Sequence, residues 1–574
     1  MVVALSNLKK NNLAVLKKSL LKMPSVKTQQ SKYTRCSRRG IVFIVIFVVI
    51  LVIVVPVALV MRSQTEHETK ILPVVKTNCG AVKGTHSVVY VFKGIPYAKP
   101  PVSDLRWKPP VALSKEGGSC WTGTFNATEF GNVCVQLNAD YTGIIGSEDC
   151  LFLNVWTPTL DGEANLPVMV WVHGGSLESF SGNHPTYSPT EDVCIETNMV
   201  YVSMNYRLNA FGFMTLDVGS PLKLTGNYGF MDQQLALKWV QQNIANFGGN
   251  PKTVTMLGHS SGATSIMALL ASPLSTGLFH RAVLMAGLAI LNKTSQEAAK
   301  DNVIFLQKTG CGTAECLMNL SAIDIIQAIP WDVWLTTDSD ILPTRGLFIS
   351  ALAVIDGSVL PMPPFEAWKA GIMSDVPVIV GNTAQEVDFS SPTDIESWTW
   401  DQYVEKVTGH LSTFPGLNIS EVLKLYPVGT ETPEYQYTTM TTDIRVTCPL
   451  NVLSTSFNGQ AYRYIVTAVP TEPAHLFGSP SKAKYSGHGL DIFAFFNTLK
   501  DYYIIGAQDE KFTENMRKEI IHFAKTGLPS TPSWLPYPNR TAIIDDDIEI
   551  ADGYHDEQCS FWLKEGFLQY SWVN

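Results

Sequence analysis

The chain has 574 residues, 45% of them hydrophobic and 16% charged, and carries a formal net charge of −9 at pH 7. That length and apolar content support a large buried core and exclude a disordered or collagen-like chain. The charge is unevenly placed: residues 1–40 hold ten Lys or Arg and no Asp or Glu, which leaves −19 for the rest and argues against nucleic-acid binding.

The basic tail, residues 1–40, comes first. Its Leu5–Met23 stretch mixes Leu and Lys, a pattern shared by a helix lying on anionic lipid and by a solvated tail. Cys36 is juxtamembrane, a palmitoylation candidate by position. Ile41 to Met61 follows, an uncharged apolar run of 21 residues. At ~1.5 Å rise per residue such a run spans a hydrocarbon core of ~30 Å. Pro56 within it is tolerated by membrane helices. The run is too long and too far from the N-terminus for a cleaved signal, so it reads as an N-terminal transmembrane helix and signal anchor. Positive flanks belong in the cytosol, which predicts a single-pass type II protein with residues 62–574 extracellular or lumenal.

Residues 62–75 read as a polar stalk, and 76–574 as one large domain with no internal linker. Nine of the ten cysteines fall in this region, as suits an oxidising compartment. Five N-x-S/T sequons start at Asn126, Asn292, Asn319, Asn418 and Asn539. Short apolar runs at Val168–Val172, Val200–Met204, Val254–Leu257 and Val376–Val380 predict buried strands, with another at Tyr462–Thr467. Helical spacing predicts helices over Met231–Phe247 and Glu514–Lys525. Strands alternating with helices imply a mostly parallel sheet.

The stretch Thr253–Thr264 runs into Gly258-His259-Ser260-Ser261-Gly262, a G-x-S-x-G in strand–turn–helix context. Such an elbow presents the serine hydroxyl above a sheet, with a helix N-terminus behind it. Around it, FKGIPYAKPP, SEDCLFLNVWTP, VMVWVHGG, NYRLNAFGF, GNYGFMDQQLALKWVQQNIANFGGNP and GHSSGA occur in this order. Together they resemble the type-B carboxylesterase and cholinesterase-like family over nearly all of residues 71–574. The resemblance implies an α/β-hydrolase fold, a central, mostly parallel sheet flanked by helices, and a serine hydrolase of carboxylic esters that needs no cofactor.

It also implies site residues. Ser260 is the nucleophile, His488 in SGHGLD is the base, and Glu386 in VGNTAQE is the orienting acid. Asp388 is a rival to Glu386, because the family's Asp-Glu-Gly reads Gln-Glu-Val here. The oxyanion donors would be the N–H groups of Gly175, Ser176 and Ser261. Each such donor is typically worth ~3–4 kcal/mol to the transition state. Implied disulfides are Cys134–Cys150, Cys311–Cys316 and Cys448–Cys559, with Cys79–Cys120 suggested less directly and Cys194 left free. Arg106 with Glu148 and Arg207 with Asp232 match structural ion pairs.

Departures bear on substrate. Ser176 replaces a third glycine, and two extra residues lie in LESFSG. His259 precedes the nucleophile where Glu is common, and Met285-Ala286-Gly287 stands for Gln-Ser-Gly. The Cys134–Cys150 loop is short and has no Trp, which disfavours choline esters, since an aromatic face would hold the quaternary head. Some members of this family are adhesion or receptor modules that bind an extracellular protein partner. The altered oxyanion loop keeps that alternative open, and the presence of Ser260, Glu386 and His488 favours hydrolysis.

Overall fold

The computed structural model describes residues 72–572, apart from 114–117, 140, 219–222, 288–289, 335–340, 349–351, 374, 391, 393, 458, 477–478 and 480. The basic tail, the apolar run 41–61 and most of the stalk lie outside the described residues. Among the described residues no helix is long and apolar enough to cross a membrane.

An 11-stranded sheet organises the fold. Its strands in chain order are β1 (Thr85–His86), β2 (Tyr90–Pro96), β3 (Phe152–Thr157), β4 (Leu166–Val172), β5 (Val200–Met204), β6 (Gly249–His259), β7 (Arg281–Met285), β8 (Val378–Thr383), β9 (Ala461–Val466), β10 (Thr541–Ile544) and β11 (Ile548–Ala551). Across the sheet they run β11-β10-β9-β8-β7-β6-β4-β5-β3-β2-β1. The pairings from β5 through β10 are parallel. Antiparallel strands close both ends.

Alternating side chains explain why these runs form central strands. In β4, Val168, Val170 and Val172 join one apolar core, while Met169 and Trp171 join the other. The same two-residue alternation puts Ala282 and Leu284 of β7 on the first face and Val283 and Met285 on the second. The first face is covered by α1 (Tyr228–Asn243), through Ala236, Leu237 and Val240, and by α2 (Ser261–Ala271), through Ile266 and Leu270. The second is covered by α3 (Leu490–Phe496) and α4 (Ala507–Thr526), through Phe493, Phe512, Ile520 and Phe523. A separate cluster of Tyr403, Tyr426, Tyr437, Trp562 and Phe567 packs residues of 395–448 against the C-terminal segment.

The fold starts earlier than the sequence pattern suggests. Val74–Thr77 is already a strand, paired with Gly80–Lys83, so residues 74 and 75 of the expected stalk belong to a sheet. Its alternating exposed and buried residues give the reason: Val75 packs inward. The helix expected over Glu514–Lys525 begins at Ala507, because the Asp509 carboxylate accepts from the Gly506 N–H at 2.8 Å and caps two polar turns.

Four disulfides close: Cys79–Cys120, Cys134–Cys150, Cys311–Cys316 and Cys448–Cys559. Cys194 is buried and free, and burial pushes its thiol up to about 12. Arg106 meets Glu148 through two contacts, and Arg207 grips Asp232 through its backbone N–H and guanidinium, both charges fully buried. All five sequon asparagines are exposed.

Candidate active site

β6 ends at His259 and α2 starts at Ser261, so Ser260 alone makes the turn between them. Its backbone sits at φ 57°, ψ −132°, a strained conformation for a residue with a Cβ. Two hydrogen bonds hold it there. The Ser260 N–H donates to Met285 O at 2.8 Å, and Thr264 N–H donates to Ser260 O at 3.0 Å. Gly262 passes so close to β4 that a Cβ would lie 2.1 Å from Val172 O, and a Cβ on Gly258 would lie 2.6 Å from the Gly262 backbone. Both glycines of the motif are therefore required by close approach of strand and helix.

Glu386 follows β8 and is fully buried. Its Oε1 accepts the Thr383 N–H at 2.6 Å, and its Oε2 lies 2.5 Å from His488 Nδ1. His488 sits just before α3, and Gly489 at φ 92° makes the turn into that helix. The Trp572 ring packs edge-on against the imidazole at 5.5 Å. Asp388 does not reach His488. It accepts N–H groups of Lys484 and Tyr485 at 2.5 and 2.8 Å, clamping the loop that carries the histidine. Burial pushes the Asp388 carboxyl up to about 7. Of the two rival carboxylates, Glu386 is the one paired with the imidazole.

The loop after β4 borders Ser260. A Cβ on Gly174 would lie 3.0 Å from Ser260 Cβ. Gly175, Ser176 and Leu177 then take positive φ in succession, at 100°, 57° and 61°. The turn is secured by Gly175 O, which accepts from Glu178 N at 2.9 Å and Ser179 N at 3.0 Å. Leu177 N–H donates to Ser261 Oγ at 3.0 Å, tying the loop to the start of α2. A left-handed bend thus leads into LESFSG. Gly175 and Ser176 still line the same cavity as Ser260 and His488, a cavity of about 350 Å³. Ser261 is buried at the first position of α2.

The residue before the serine has an unforeseen setting. His259 is buried, its Nδ1 lies 2.6 Å from the Tyr187 hydroxyl, and its ring lies 4.3 Å from that of His488. Its Nε2 is 3.9 Å from the Asp491 carboxylate. Burial, and then His488, hold His259 well below the usual range, so the imidazole is neutral. Two imidazoles can therefore touch without repulsion between charges. Asp491 and Tyr187 escape a reading based on spacing, because their role depends on a partner far away in the chain. Glu178 also enters the cavity, and its place in the LESFSG expansion was the one available signal.

A serine on a strained elbow, an imidazole backed by a carboxylate and a loop of backbone donors are the parts of nucleophilic acyl transfer. The family's model, described as the carboxylesterase family, matches residues 72–562. Para-nitrobenzyl esterase of Bacillus subtilis (strain 168) is 32% identical over 509 residues, covering 84% of this chain and 97% of that protein. Carboxylesterase 1C of Rattus norvegicus is 31% identical, covering 86% and 93%. The solved structure of a PNB esterase superposes with a TM-score of 0.69 at 31% identity, over 85% of this chain and 99% of that one. On the fold, the site and these likenesses together, the chain belongs to the carboxylesterase family.

Proposed function

We propose that the protein hydrolyses carboxylic esters through an acyl-enzyme. Ser260 Oγ attacks the ester carbonyl while His488 takes its proton. The N–H groups of Gly175, Ser176 and Ser261 receive the tetrahedral oxyanion. His488 then gives the proton to the leaving alcohol, and water repeats the sequence on the acyl-enzyme. Glu386 orients the imidazole and stabilises its cation. The observation that carries this reading is the 2.5 Å Glu386–His488 pair, whose imidazole lines the same cavity as Ser260. A fluorophosphonate probe should label the full-length protein at Ser260, and Ser260→Ala should abolish labelling. Folded wild-type protein that takes no label would remove the hydrolase reading and favour an adhesion module with an extracellular protein partner.

The same proposal has residues 1–40 as a cytosolic tail, 41–61 as a single-pass anchor and the hydrolase domain on the extracellular or lumenal side. An uncharged run of 21 residues behind ten basic ones supports it, as do four disulfides and five exposed sequons after the run. Glycosidase treatment of protein expressed in membranes should lower its apparent mass. In sealed vesicles, protease added from the cytosolic side should leave residues 72–574 intact. Digestion of that portion would reverse the orientation.

A further inference from the structure

Most polar side chains around the cavity are committed to holding the fold. Gln136 spends its amide on the Cys134 and Phe180 carbonyls and the Phe180 N–H. The Asn138 carbonyl accepts the N–H groups of Thr142 and Gly143, and the Ser179 hydroxyl donates to Gly175 O. Glu178 is different. Its backbone is pinned, with N–H on Gly175 O and C=O taking the Asn209 amide at 3.2 Å. The residue lines the cavity and is only 8% exposed, and its Oε1 is buried with no hydrogen-bond partner among the described residues. A buried carboxyl left this way is costly, which calls for a partner that the folded chain does not supply.

The surroundings define that partner. Among the described residues no Lys or Arg lines the cavity. The other titratable groups among the described residues there are Tyr141, whose hydroxyl is pushed up by burial and then by Glu178, Tyr187, whose hydroxyl is also pushed up by burial and lies 2.6 Å from His259 Nδ1, and the histidines His184, His259 and His488. Burial holds His184 below its usual range, so it supplies no fixed positive charge. Phe180 and Trp331 add aromatic wall.

We propose that Glu178 makes this site selective for esters that carry a protonated amine, whose N–H donates to the carboxylate; the proposal rests on the hydrolase reading above. A charge-assisted N–H···O bond is the strongest contact open to a buried carboxylate. A quaternary head has no N–H, so the same logic sets choline esters apart. Burial alone pushes the Glu178 carboxyl up to about 8. At neutral pH, seating the ammonium therefore displaces the carboxyl proton to solvent.

The test compares dimethylaminoethyl butanoate with its uncharged isostere isopentyl butanoate, using full-length protein. Hydrolysis of the uncharged ester by wild type and its loss in Ser260→Ala report on the hydrolase itself, whatever Glu178 does. Wild type should have the higher kcat/KM for the amino ester. In Glu178→Gln the ratio of the two kcat/KM values should fall by about 30-fold, the scale of removing one partner of a buried charge pair. Gln keeps an N–H donor, so a ratio that survives the substitution would assign Glu178 to donating towards a neutral acceptor and overturn the proposal. Equal losses on both esters would also overturn it. If Glu178→Gln fails to fold, the wild type decides alone, and a preference for isopentyl butanoate refutes the idea.

Discussion

Ser260→Ala and His488→Ala should each lower kcat/KM on a p-nitrophenyl ester by about 10⁴- to 10⁶-fold, and the double variant should be scarcely worse than either. The reason is the chemistry of the unit. Without the Ser260 hydroxyl there is nothing to deprotonate, and without the imidazole there is no acceptor for the proton. Glu386→Gln should cost less, on the order of 10²- to 10⁴-fold, because the acid orients and stabilises the imidazole without bonding to substrate. Its contact to His488 is 2.5 Å, while Asp388 instead accepts the N–H groups of Lys484 and Tyr485. Asp388→Asn keeps an oxygen to accept those bonds, so most activity should survive. Losses in Asp388→Asn as large as those in Glu386→Gln would overturn the assignment of the acid. Retention of the Cys448–Cys559 disulfide in each variant controls for folding.

The second large effect concerns stability. Asp232 is fully buried and holds the Arg207 guanidinium at 2.7 and 2.8 Å, with the Arg207 N–H at 3.0 Å. Asp232→Ala would leave that guanidinium in the interior without its counter-charge, at a cost of about 3–5 kcal/mol. Replacing both partners with apolar residues, as in Arg207→Met with Asp232→Leu, should cost less than the single change. The measurement is the thermal inactivation midpoint at one fixed heating rate. Equal midpoints for Asp232→Ala and wild type would show that the pair contributes nothing. The site should feel the single change too, since Asn209, two residues beyond Arg207, carries the Glu178 carbonyl and the Val135 carbonyl on its amide.

Legibility in the sequence followed how local the signal was. Val200–Met204 is a run of buried residues with no interruption, and β5 has those bounds. The expected Val254–Leu257 grows into Gly249–His259, because Pro251 and Lys252 mask an extended start whose pairing to β4 shifts register before Val254. The β10–β11 hairpin escaped notice, since Asp545, Asp546 and Asp547 break its apolar pattern while forming its turn. At the site, the elbow could be read because two glycines and a serine lie within five residues. Whether Glu386 or Asp388 meets His488 could not be read from residues two apart. The path of the chain after β8 decides it. Glu178 was harder still: its meaning depends on three consecutive positive φ values that turn a two-residue expansion into the cavity.

The order of the strands also sets a timetable for synthesis. Ser260 follows β6, Glu386 follows β8 and His488 follows β9, so the three arrive in sequence as the chain is made. A nascent chain that has delivered β4 through β8 holds the elbow and its neighbouring strands but no proton acceptor. On the mechanism proposed above it stays inert towards esters until residue 488 has emerged. Cys448 waits longer, for a partner 111 residues downstream. Hydrolytic competence therefore comes late in translation, and the final covalent tie later again.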